Sequence, residues 1–289
     1  MTDITEVFTP DLPHRPADSH KGTFGTTVLI NGCYSMVGAA IICTRAALKS
    51  GVGKAFAVIP DSVYGIFTAA VPEAICLPIK HDRHGMSRLS NTEKLKEILK
   101  KADSVVIGCG LGQSKSTEKL LRFVIENTKS RLIIDADGIN LISNNIGFID
   151  KANADIILTP HPAEMSRLCK KNVKEIERDR VKTAMEFAAE HNVTVVLKGK
   201  DTVVASKNGR VYINKTGNSG MATGGSGDAL AGIIGAMTAF DKDIDRAVIN
   251  GVCVHGLAGD FAAEKLSETA MLPTDLIEQL PFVYKTYER

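Results

Sequence analysis

Apolar residues along the chain fall into short, largely aliphatic runs that are separated by polar or glycine-containing segments. Short continuous runs of this kind are typical of strands buried on both faces of a parallel sheet. Longer amphipathic or alanine-rich segments lie between them and predict helices. We predict that strands begin at Thr26, Lys54, Ala74, Ser104, Arg131, Asp155, Val193, Thr202 and Arg210.

The alternation of these strands with helices predicts an α/β fold with a mostly parallel central sheet and helices on both faces. Pro78 places its strand near an edge, because proline cannot donate to a ladder. Asn208-Gly209 predicts a hairpin turn, and Ser90–Glu93 fits a capping box. Residues 1–20 are weakly patterned and predict an arm over the domain surface. Helices are predicted at 39–49, 95–100, 117–127, 173–191, 229–237, 243–265 and 274–287, with shorter ones after Pro60 and from Pro162.

The composition is that of an ordinary soluble globular protein, with 289 residues of which 44% are hydrophobic and 24% charged. This length suits one large α/β domain or two small ones. Neither a repeat nor a linker is evident, so a single domain over residues 1–289 is expected. The balance of 35 basic and 33 acidic residues gives a net charge of +2. It offers no electrostatic case for nucleic acid or an anionic membrane, so small molecules are the expected partners.

The six cysteines are scattered and include no Cys-x-x-Cys pair. This spacing favours reduced, mostly buried thiols in a cytosolic protein. The N-terminus is mixed and acidic, which is unlike a signal sequence, and no apolar run is long enough to cross a bilayer. A cytoplasmic location is therefore expected. The cysteines are Cys33, Cys43, Cys76, Cys109, Cys169 and Cys253.

The most informative segment is Asn218–Asp228, which directly precedes the apolar run Ala229–Met237. Four glycines within eight positions allow positive φ angles and let a ligand approach the backbone closely. The helix that follows would present unpaired N–H groups and the positive end of its dipole to an anion. The segment therefore predicts a phosphate-binding loop. Its glycines are Gly220, Gly224, Gly225 and Gly227.

Asp228 ends this loop, and the loop alone leaves two interpretations of it open. In the first, Asp228 is a first-turn acid that stabilises its own helix by about 0.3–1 kcal/mol. In the second, it accepts the proton of an acceptor hydroxyl while the N–H groups stabilise a transferred phosphoryl group. The loop lacks the Gly-Lys-Ser/Thr ending of a P-loop and lies far from the N-terminus, unlike a first-turn dinucleotide fingerprint.

Other segments with candidate chemistry follow predicted strands, and parallel strands would bring them to one rim of the sheet. Ala39 either lines a pocket there or packs closely, and Gly108–Gly112 is a second glycine-rich turn. Asp135 and Asp137 either hold Mg²⁺, directly or through water, or cap the next helix. His161 lies at a loop-to-helix junction, from which it can point into a pocket.

Thr223–Asp228 resembles the anion-hole motif of the ribokinase-like superfamily, and the whole of Asn218–Asp228 more closely resembles the NAD(P)H-hydrate dehydratase family. The resemblance runs from His20 to about Ala263. Three loop residues depart from the family, which usually has proline at Ser219 and Cys109 and glycine at Ala163. The matching motifs, in family order, are His20–Gly25, Gly108–Gly112, Asp135–Asn140, Thr159–Glu164, Lys198–Thr202 and Asn218–Asp228.

The resemblance implies a ribokinase-like three-layer sandwich with a kinase-like site that serves a dehydratase. It implies that Asp228 is the catalytic base. The residues that it assigns to binding fall into three groups, for substrate, nucleotide and phosphoryl group. These are Ala39, Gly110, His161 and Asp228 for substrate; Lys198, Gly199, Lys200, Asp201, Thr202 and Gly227 for nucleotide; and Gly224, Gly225, Ser226 and Gly227 for the anion hole.

The activity implied by the resemblance is ADP-dependent dehydration of the S-epimers of hydrated NADH and NADPH, called NADHX and NADPHX, with release of AMP and phosphate. Phosphate leaves a ring carbon more readily than hydroxide does, which explains the use of a nucleotide. Mg²⁺ and ADP, or ATP, are the implied cofactor and phosphoryl donor. The implied functional partner is a separate NAD(P)HX epimerase, because the domain fused in some relatives is not in this sequence. Superfamily members include dimers and tetramers, and a homotetramer is expected.

Two rival functions remain open. An ATP-dependent small-molecule kinase of the same superfamily, acting on a vitamin precursor, would keep Asp228 and the anion hole but release a stable phosphorylated product. A non-catalytic nucleotide-sensing module would bind adenine nucleotide without turning it over. Replacement of Asp228 by asparagine would leave such a module unaffected.

Overall fold

A computed structural model of the protein describes residues 4–5, 8–12 and 14–288. Within these residues, ten strands form one sheet, in the order β1-β10-β9-β8-β7-β6-β5-β2-β3-β4. The strands are β1 Ile4–Thr5, β2 Thr26–Ile30, β3 Lys54–Pro60, β4 Ile75–Ile79, β5 Ser104–Ile107, β6 Arg131–Ile134, β7 Asp155–Leu158, β8 Thr194–Leu197, β9 Val203–Ala205 and β10 Val211–Ile213.

The sheet is mostly parallel, as predicted. Strands β4, β3, β2, β5, β6, β7 and β8 form a continuous parallel array, whereas β9 is antiparallel to both β8 and β10. The strand that contains Pro78 lies at one edge, and the predicted Asn208-Gly209 hairpin joins β9 to β10. The chain leaves β2 for β3 and β4 on one side and returns to β5 on the other. Such a switch point opens a crevice at the carboxyl ends of the two strands.

The prediction of a surface arm at residues 1–20 was incomplete. Ile4–Thr5 pairs in parallel with Val211–Tyr212 and extends the sheet beyond β10. Farther along, the Phe8 ring packs edge-on against Tyr212 at 5.3 Å, and Leu12 is 2% exposed. Residues 1–3, 6–7 and 13 of the predicted arm lie outside the described residues.

Eleven α-helices cover the described part of the sheet on both faces. Helices α1 and α9 pack on one face, and α4, α5, α6 and α8 pack on the other. The helices are α1 Val37–Lys49, α2 Tyr64–Ala70, α3 Thr92–Lys100, α4 Lys115–Asn127, α5 Asp137–Ser143, α6 Pro162–Cys169, α7 Val173–Arg178, α8 Arg180–His191, α9 Ser226–Phe240, α10 Ile244–Leu266 and α11 Pro273–Tyr287. In the part of the chain that is described, no helix is both long and apolar enough to span a bilayer.

Two local predictions about helices were wrong. The single helix predicted at 173–191 is two helices, because Asp179 leaves the helical region at φ −150° and its side chain caps α8 by accepting from Lys182 N. The capping box at Ser90–Glu93 does not form. The Ser90 hydroxyl accepts a hydrogen bond from Lys80 N at 2.8 Å instead, and Asn91, which directly precedes α3, has a φ of 51°.

Small residues let α9 lie between α1, α10 and the sheet. A Cβ atom on Gly232 would lie 2.1 Å from the Cys43 carbonyl oxygen of α1, and one on Gly235 would lie 2.4 Å from a methyl group of Val106 in β5. Ala229, Ala231, Ala236 and their neighbours are buried as well. This close packing fixes the N-terminus of α9 relative to the sheet.

Candidate active site

Five adjacent parallel strands are each followed directly by a residue of the candidate site. The carboxyl ends of β2, β5, β6, β7 and β8 lie along one rim, next to the switch point. Each side chain or turn that enters this rim is therefore placed by the end of a buried strand, which is the usual location of ligand sites in such sheets. The residues that directly follow these strands are Asn31, Gly108, Asp135, Thr159 and Lys198.

Lys198 and Asp135 form a buried ion pair at the centre of this rim. Lys198 Nζ lies 2.8 Å from Asp135 Oδ1 and 3.8 Å from Glu164 Oε2. Thr159 Oγ1 donates to the same Asp135 oxygen at 2.6 Å. Burial opposes the charged form of Lys198, but Asp135 and Glu164 outweigh it and raise its pKa. Burial also raises the pKa of Glu164, despite the attraction of Lys198.

The predicted phosphate-binding loop delivers the N-terminus of α9 to this rim. Gly225 precedes the helix with a φ of 101°, which the absence of a side chain permits. Gly227 lies directly over Lys198, because a Cβ atom there would be 3.2 Å from Lys198 Nζ. The N–H groups of this first turn have no helical acceptor before them, so they and the ammonium together favour an anion.

Asp228 is a partly buried residue of this first turn. One carboxylate oxygen of Asp228, one of Asp135 and the Sγ atom of Cys109 all lie within 4.8 Å of one another. Burial and the nearby Asp135 carboxylate raise the pKa of Asp228 to about 6, against the opposing effects of Cys109 and Lys198. A carboxyl group with this pKa can accept a proton near neutral pH, as a general base must. A carboxylate that only stabilised its own helix would not need a raised pKa.

A buried histidine makes a hydrogen bond to the first turn of α9. His255 Nε2 lies 3.0 Å from the Ser226 carbonyl oxygen, and burial lowers the pKa of His255 to about 4. The imidazole is therefore neutral at pH 7 and donates to this carbonyl. Ser226, which the resemblance assigns to the anion hole, is itself 7% exposed.

The preceding part of the loop is anchored to α10 and to the segment after it. Asp260 accepts hydrogen bonds from Gly217 N at 2.9 Å and from Asn218 Nδ2 at 3.0 Å. Ser219, where the family usually has proline, donates its hydroxyl to Glu268. These contacts hold the loop on one side, while Gly224 at its tip has open space where a side chain would project.

The second glycine-rich turn is fixed by Asn31, whose Oδ1 atom accepts from Gly108 N and Cys109 N, both at 3.0 Å. Gly110 has a φ of 60°, and a Cβ atom there would lie 2.7 Å from Ala39 Cβ. The two residues predicted to bind substrate in this region are thus in direct contact. Asp137 accepts from Gly112 N at 2.8 Å and supports the same turn. It does not belong to the group of Cys109, Asp135 and Asp228.

His161 lies at the predicted loop-to-helix junction, where its side chain caps α6. Its Nδ1 atom accepts from Ala163 N at 3.1 Å and from Glu164 N at 3.3 Å, while Glu164 Oε2 accepts from His161 N at 2.8 Å. Its side chain is 48% exposed, and burial followed by the charge of Lys198 lowers its pKa. His161 therefore reaches the rim through Glu164, which also contacts Lys198.

The loop that the resemblance assigns to nucleotide binding continues beyond Lys198 and is held by Arg180. The guanidinium donates to the Leu197 carbonyl at 2.8 Å and to the Lys200 carbonyl, and it fills the space beside Gly199. Asp201 adopts a φ of 55° and lies 3.6 Å from the Lys215 ammonium. The Thr202 hydroxyl donates to the Gly199 carbonyl at 2.9 Å.

Three residues of the site were missed by sequence reasoning. Asn31 could have been found, since it directly follows a predicted strand like the other rim residues. Arg180 and His255 carried no local signal, because each lies within a helix and acts on a segment that is distant in the chain. Arg180 orders the Leu197–Lys200 segment, and His255 orders the start of α9.

The sequence profile described as NAD(P)H-hydrate dehydratase matches residues 27–282. The chain is 37% identical over 270 residues to a bifunctional NAD(P)H-hydrate repair enzyme of Thermofilum pendens, covering 93% of this chain and 52% of that protein. The chain thus spans about half the length of this relative. It is 33% identical over 277 residues to the ADP-dependent (S)-NAD(P)H-hydrate dehydratase of Bacillus subtilis, covering 96% of this chain and 95% of that protein.

Solved structures are similar over almost the whole chain. The crystal structure of an ADP/ATP-dependent NAD(P)H-hydrate dehydratase from Bacillus subtilis, co-crystallised with ATP and Mg²⁺, matches with a TM-score of 0.81 and 31% identity, covering 97% of this chain and 99% of that one. A ribokinase-like superfamily protein from Enterococcus faecalis matches with a TM-score of 0.84 and 32% identity, covering 96% and 92%. The predicted ribokinase-like architecture is confirmed.

Proposed function

Since the chain belongs to the NAD(P)H-hydrate dehydratase family, we propose that it repairs hydrated NADH and NADPH. In the proposed reaction the S-epimers NADHX and NADPHX lose water, ADP donates its terminal phosphoryl group, and AMP, phosphate and the reduced nucleotide are released. The observation that supports this activity best is the position of Asp228, a partly buried carboxylate with a pKa raised to about 6 in the first turn of α9.

Asp228 is the proposed general base. It accepts the proton of the ring hydroxyl as that oxygen attacks the terminal phosphorus of ADP, and the bond from this phosphorus to the bridging oxygen breaks to release AMP. The ring oxygen then leaves with the phosphate. The electron pair of the ring nitrogen drives this step, and loss of a proton from the adjacent ring carbon restores the reduced nicotinamide. A carboxylate near its pKa suits the first transfer.

The first turn of α9 and Lys198 are the proposed stabilisers of negative charge on the phosphoryl group. The N–H groups of Gly227 and Asp228 have no helical acceptor, and the helix dipole adds to their effect. Gly227 also leaves the space above the Lys198 ammonium free for an anion. We propose Gly224, Gly225 and Ser226 as the remainder of this anion hole.

Mg²⁺ is the proposed metal cofactor, and the carboxylate of Asp135 is its candidate ligand, directly or through water. Asp135 lies in the group of ligand atoms next to Asp228, and Mg²⁺ is commonly held by one or two carboxylates together with substrate phosphates. When bound, Mg²⁺ would neutralise charge on the phosphates of the nucleotide. The crystallisation of the Bacillus subtilis enzyme with ATP and Mg²⁺ supports this assignment.

The two substrates are assigned to opposite sides of Asp228. We assign the nucleotide to Gly227 and to the loop from Lys198 to Thr202, which includes Gly199, Lys200 and Asp201. The hydrate is assigned to Ala39, Gly110 and His161. Contact between Ala39 and Gly110 supports a shared surface for the hydrate. ADP is the preferred donor in this proposal, in line with the name of the Bacillus subtilis relative.

The remaining proposals concern the cellular setting. We propose that the chain works as a single dehydratase domain, as a homotetramer and in the cytoplasm. A separate NAD(P)HX epimerase would supply the S-epimer, and the bifunctional name of the Thermofilum pendens relative supports such a partnership.

The decisive experiment follows recovery of the reduced-nicotinamide absorbance when purified protein meets NADPHX and Mg²⁺, with ADP in one cuvette and ATP in another. Recovery with ADP is expected, and the faster cuvette identifies the preferred donor. If neither cuvette recovers although nucleotide binds, the dehydratase proposal is wrong. A screen of hydroxylated vitamin precursors for stable phosphorylated products would then test the kinase alternative.

A further inference from the structure

A mixed thiol and carboxylate cluster lies at the centre of the site. Cys109 Sγ, one oxygen of Asp135 and one oxygen of Asp228 lie within 4.8 Å of one another. We propose that these three side chains form a binding site for a thiophilic divalent cation, with Zn²⁺ as the ion that fits it best. The resemblance to the dehydratase family assigns no role to Cys109, so it does not imply such a site.

The distance between the Cys109 sulfur atom and the nearer Asp135 oxygen suits zinc. Zn²⁺ binds thiolate sulfur at about 2.3 Å and carboxylate oxygen at about 2.0–2.2 Å in tetrahedral geometry, which places the two ligand atoms about 3.5–3.7 Å apart. Cys109 Sγ lies 3.5 Å from Asp135 Oδ2. Three protein ligands leave a fourth position for water or a substrate oxygen. Mg²⁺, by contrast, takes oxygen ligands and gains nothing from the sulfur atom.

The local negative charge also favours a bound cation. Asp135, Glu164 and Asp228 bring three carboxylates to this region of the site, and Lys198 supplies the ammonium that lies among them. With all three carboxylates ionised, the group has a net charge of −2 in a largely buried setting. Buried charges of one sign are stabilised only by opposite charge or by a metal ion. A divalent cation bound to Asp135 and Asp228 compensates this excess.

Neighbouring residues hold the ligands in place. Thr159 and Lys198 both contact Oδ1 of Asp135, while Oδ2 accepts a hydrogen bond from the Cys109 thiol, whose proton a bound cation would replace. Asn31 accepts from the Cys109 backbone N–H and thereby fixes the turn that carries the thiol. Such outer contacts orient metal ligands and raise metal affinity.

Zinc binding at this site exchanges the thiol proton for the metal ion. The cation forms bonds to Cys109 sulfur and to the two carboxylates, and the thiol proton leaves to solvent. Bound zinc occupies the Asp228 oxygen that the proposed function uses as a base. If that proposed function is correct, Zn²⁺ inhibits turnover; the binding itself does not depend on it.

Cobalt substitution tests the site directly, since Co²⁺ enters zinc sites and reports its ligands by absorption. We expect one equivalent of Co²⁺ to produce tetrahedral visible bands and a near-ultraviolet thiolate-to-cobalt charge-transfer band in the full chain, and we expect Zn²⁺ to displace it. Cys109→Ser abolishes the charge-transfer band, whereas Cys169→Ser, which changes a half-buried cysteine outside the cluster, leaves it unchanged. A band that survives in Cys109→Ser overturns the proposal, as does its absence from the wild-type protein.

Asp228→Asn provides a second and independent test. Loss of one ligand lowers Co²⁺ affinity by about tenfold or more, measured by the same titration. Unchanged affinity in this variant rules out Asp228 as a ligand and overturns the three-residue site. Metal binding and activity are measured in separate assays. A protein that binds Co²⁺ through Cys109 but does not act on NADPHX supports the metal site and contradicts only the proposed dehydratase activity.

Discussion

Lys198 Nζ lies 2.8 Å from Asp135 Oδ1, and this ion pair joins the carboxyl ends of β8 and β6 across the intervening strand β7. Asp135 is 1% exposed, so its charge depends on Lys198 and Thr159 for compensation. Loss of either charge is therefore expected to destabilise the sheet as well as to change the charge of the site.

Lys198→Met is expected to lower the free energy of unfolding by about 3–5 kcal/mol at pH 8, because it leaves the Asp135 carboxylate buried without its partner. Urea unfolding monitored by circular dichroism measures the change. Lys207→Met is the matched control, since the Lys207 pair with Asp155 is partly exposed and is worth at most about 1 kcal/mol. Equal losses in the two variants would show that the Lys198 pair is no more important than a surface one.

Asp228→Asn is expected to lower turnover of NADPHX by about 10²-fold or more, because the amide cannot accept the hydroxyl proton. ADP affinity, measured by calorimetry, should change little. Asp155→Asn, at the opposite ends of the strands, serves as the control and should retain turnover. Near-normal activity in Asp228→Asn would remove Asp228 from the proposed mechanism.

The rate should depend on pH through Asp228. Burial and Asp135 raise the pKa of this group to about 6, and only its ionised form accepts a proton. We therefore expect kcat/KM to increase as pH rises through about 6 and then to level off. A steady-state profile from pH 5 to pH 8 measures this, with protein stability checked at each pH. A flat profile would contradict the assignment of a base with this pKa.

Gly110→Ala should be more harmful than Gly209→Ala, although both glycines have positive φ angles of 60° and 83°. The left-handed strain of about 1–2 kcal/mol is common to both variants. Only at Gly110 would the new Cβ atom meet neighbours, with Ala39 Cβ at 2.7 Å. We expect a greater loss of unfolding free energy and a raised KM for NADPHX in Gly110→Ala alone. Identical behaviour of the two variants would mean that this contact is unimportant.

His255→Gln should alter how stability responds to acid. The pKa of His255 falls to about 4 on burial, from about 6.5 in the unfolded chain. The unfolded state therefore binds the proton first, so the wild-type protein loses stability from this group as pH falls from about 6.5 to 4, on the order of 2–3 kcal/mol. Glutamine does not titrate and can still donate to Ser226. Urea unfolding at several pH values should show a shallower acid loss in the variant, and parallel curves would contradict this role of His255.

The local pattern of hydrophobic and polar residues was sufficient to predict most of the fold. The aliphatic runs predicted the strands from β2 to β10, and their alternation with helices predicted a mostly parallel sheet, because burial on both faces imposes this composition directly on each segment. The errors occurred where a side chain had two possible partners. Ser90 bonds to Lys80 rather than capping α3, and Asp179 ends one helix and caps the next.

The sequence by itself determined which segments carry the candidate site at the rim, since a strand end and a glycine-rich loop before a helix are local properties; Asp135 and Lys198 follow from the first and Asp228 from the second. Only the tertiary structure decided what they do there. Asp135 and Asp137 are two residues apart, yet Asp135 pairs with Lys198 whereas Asp137 bonds to Gly112. The raised pKa of Asp228 and its proximity to Cys109 arise between β5, β6 and α9. Both depend on distances between segments far apart in the chain, because burial and Coulomb interactions act through space.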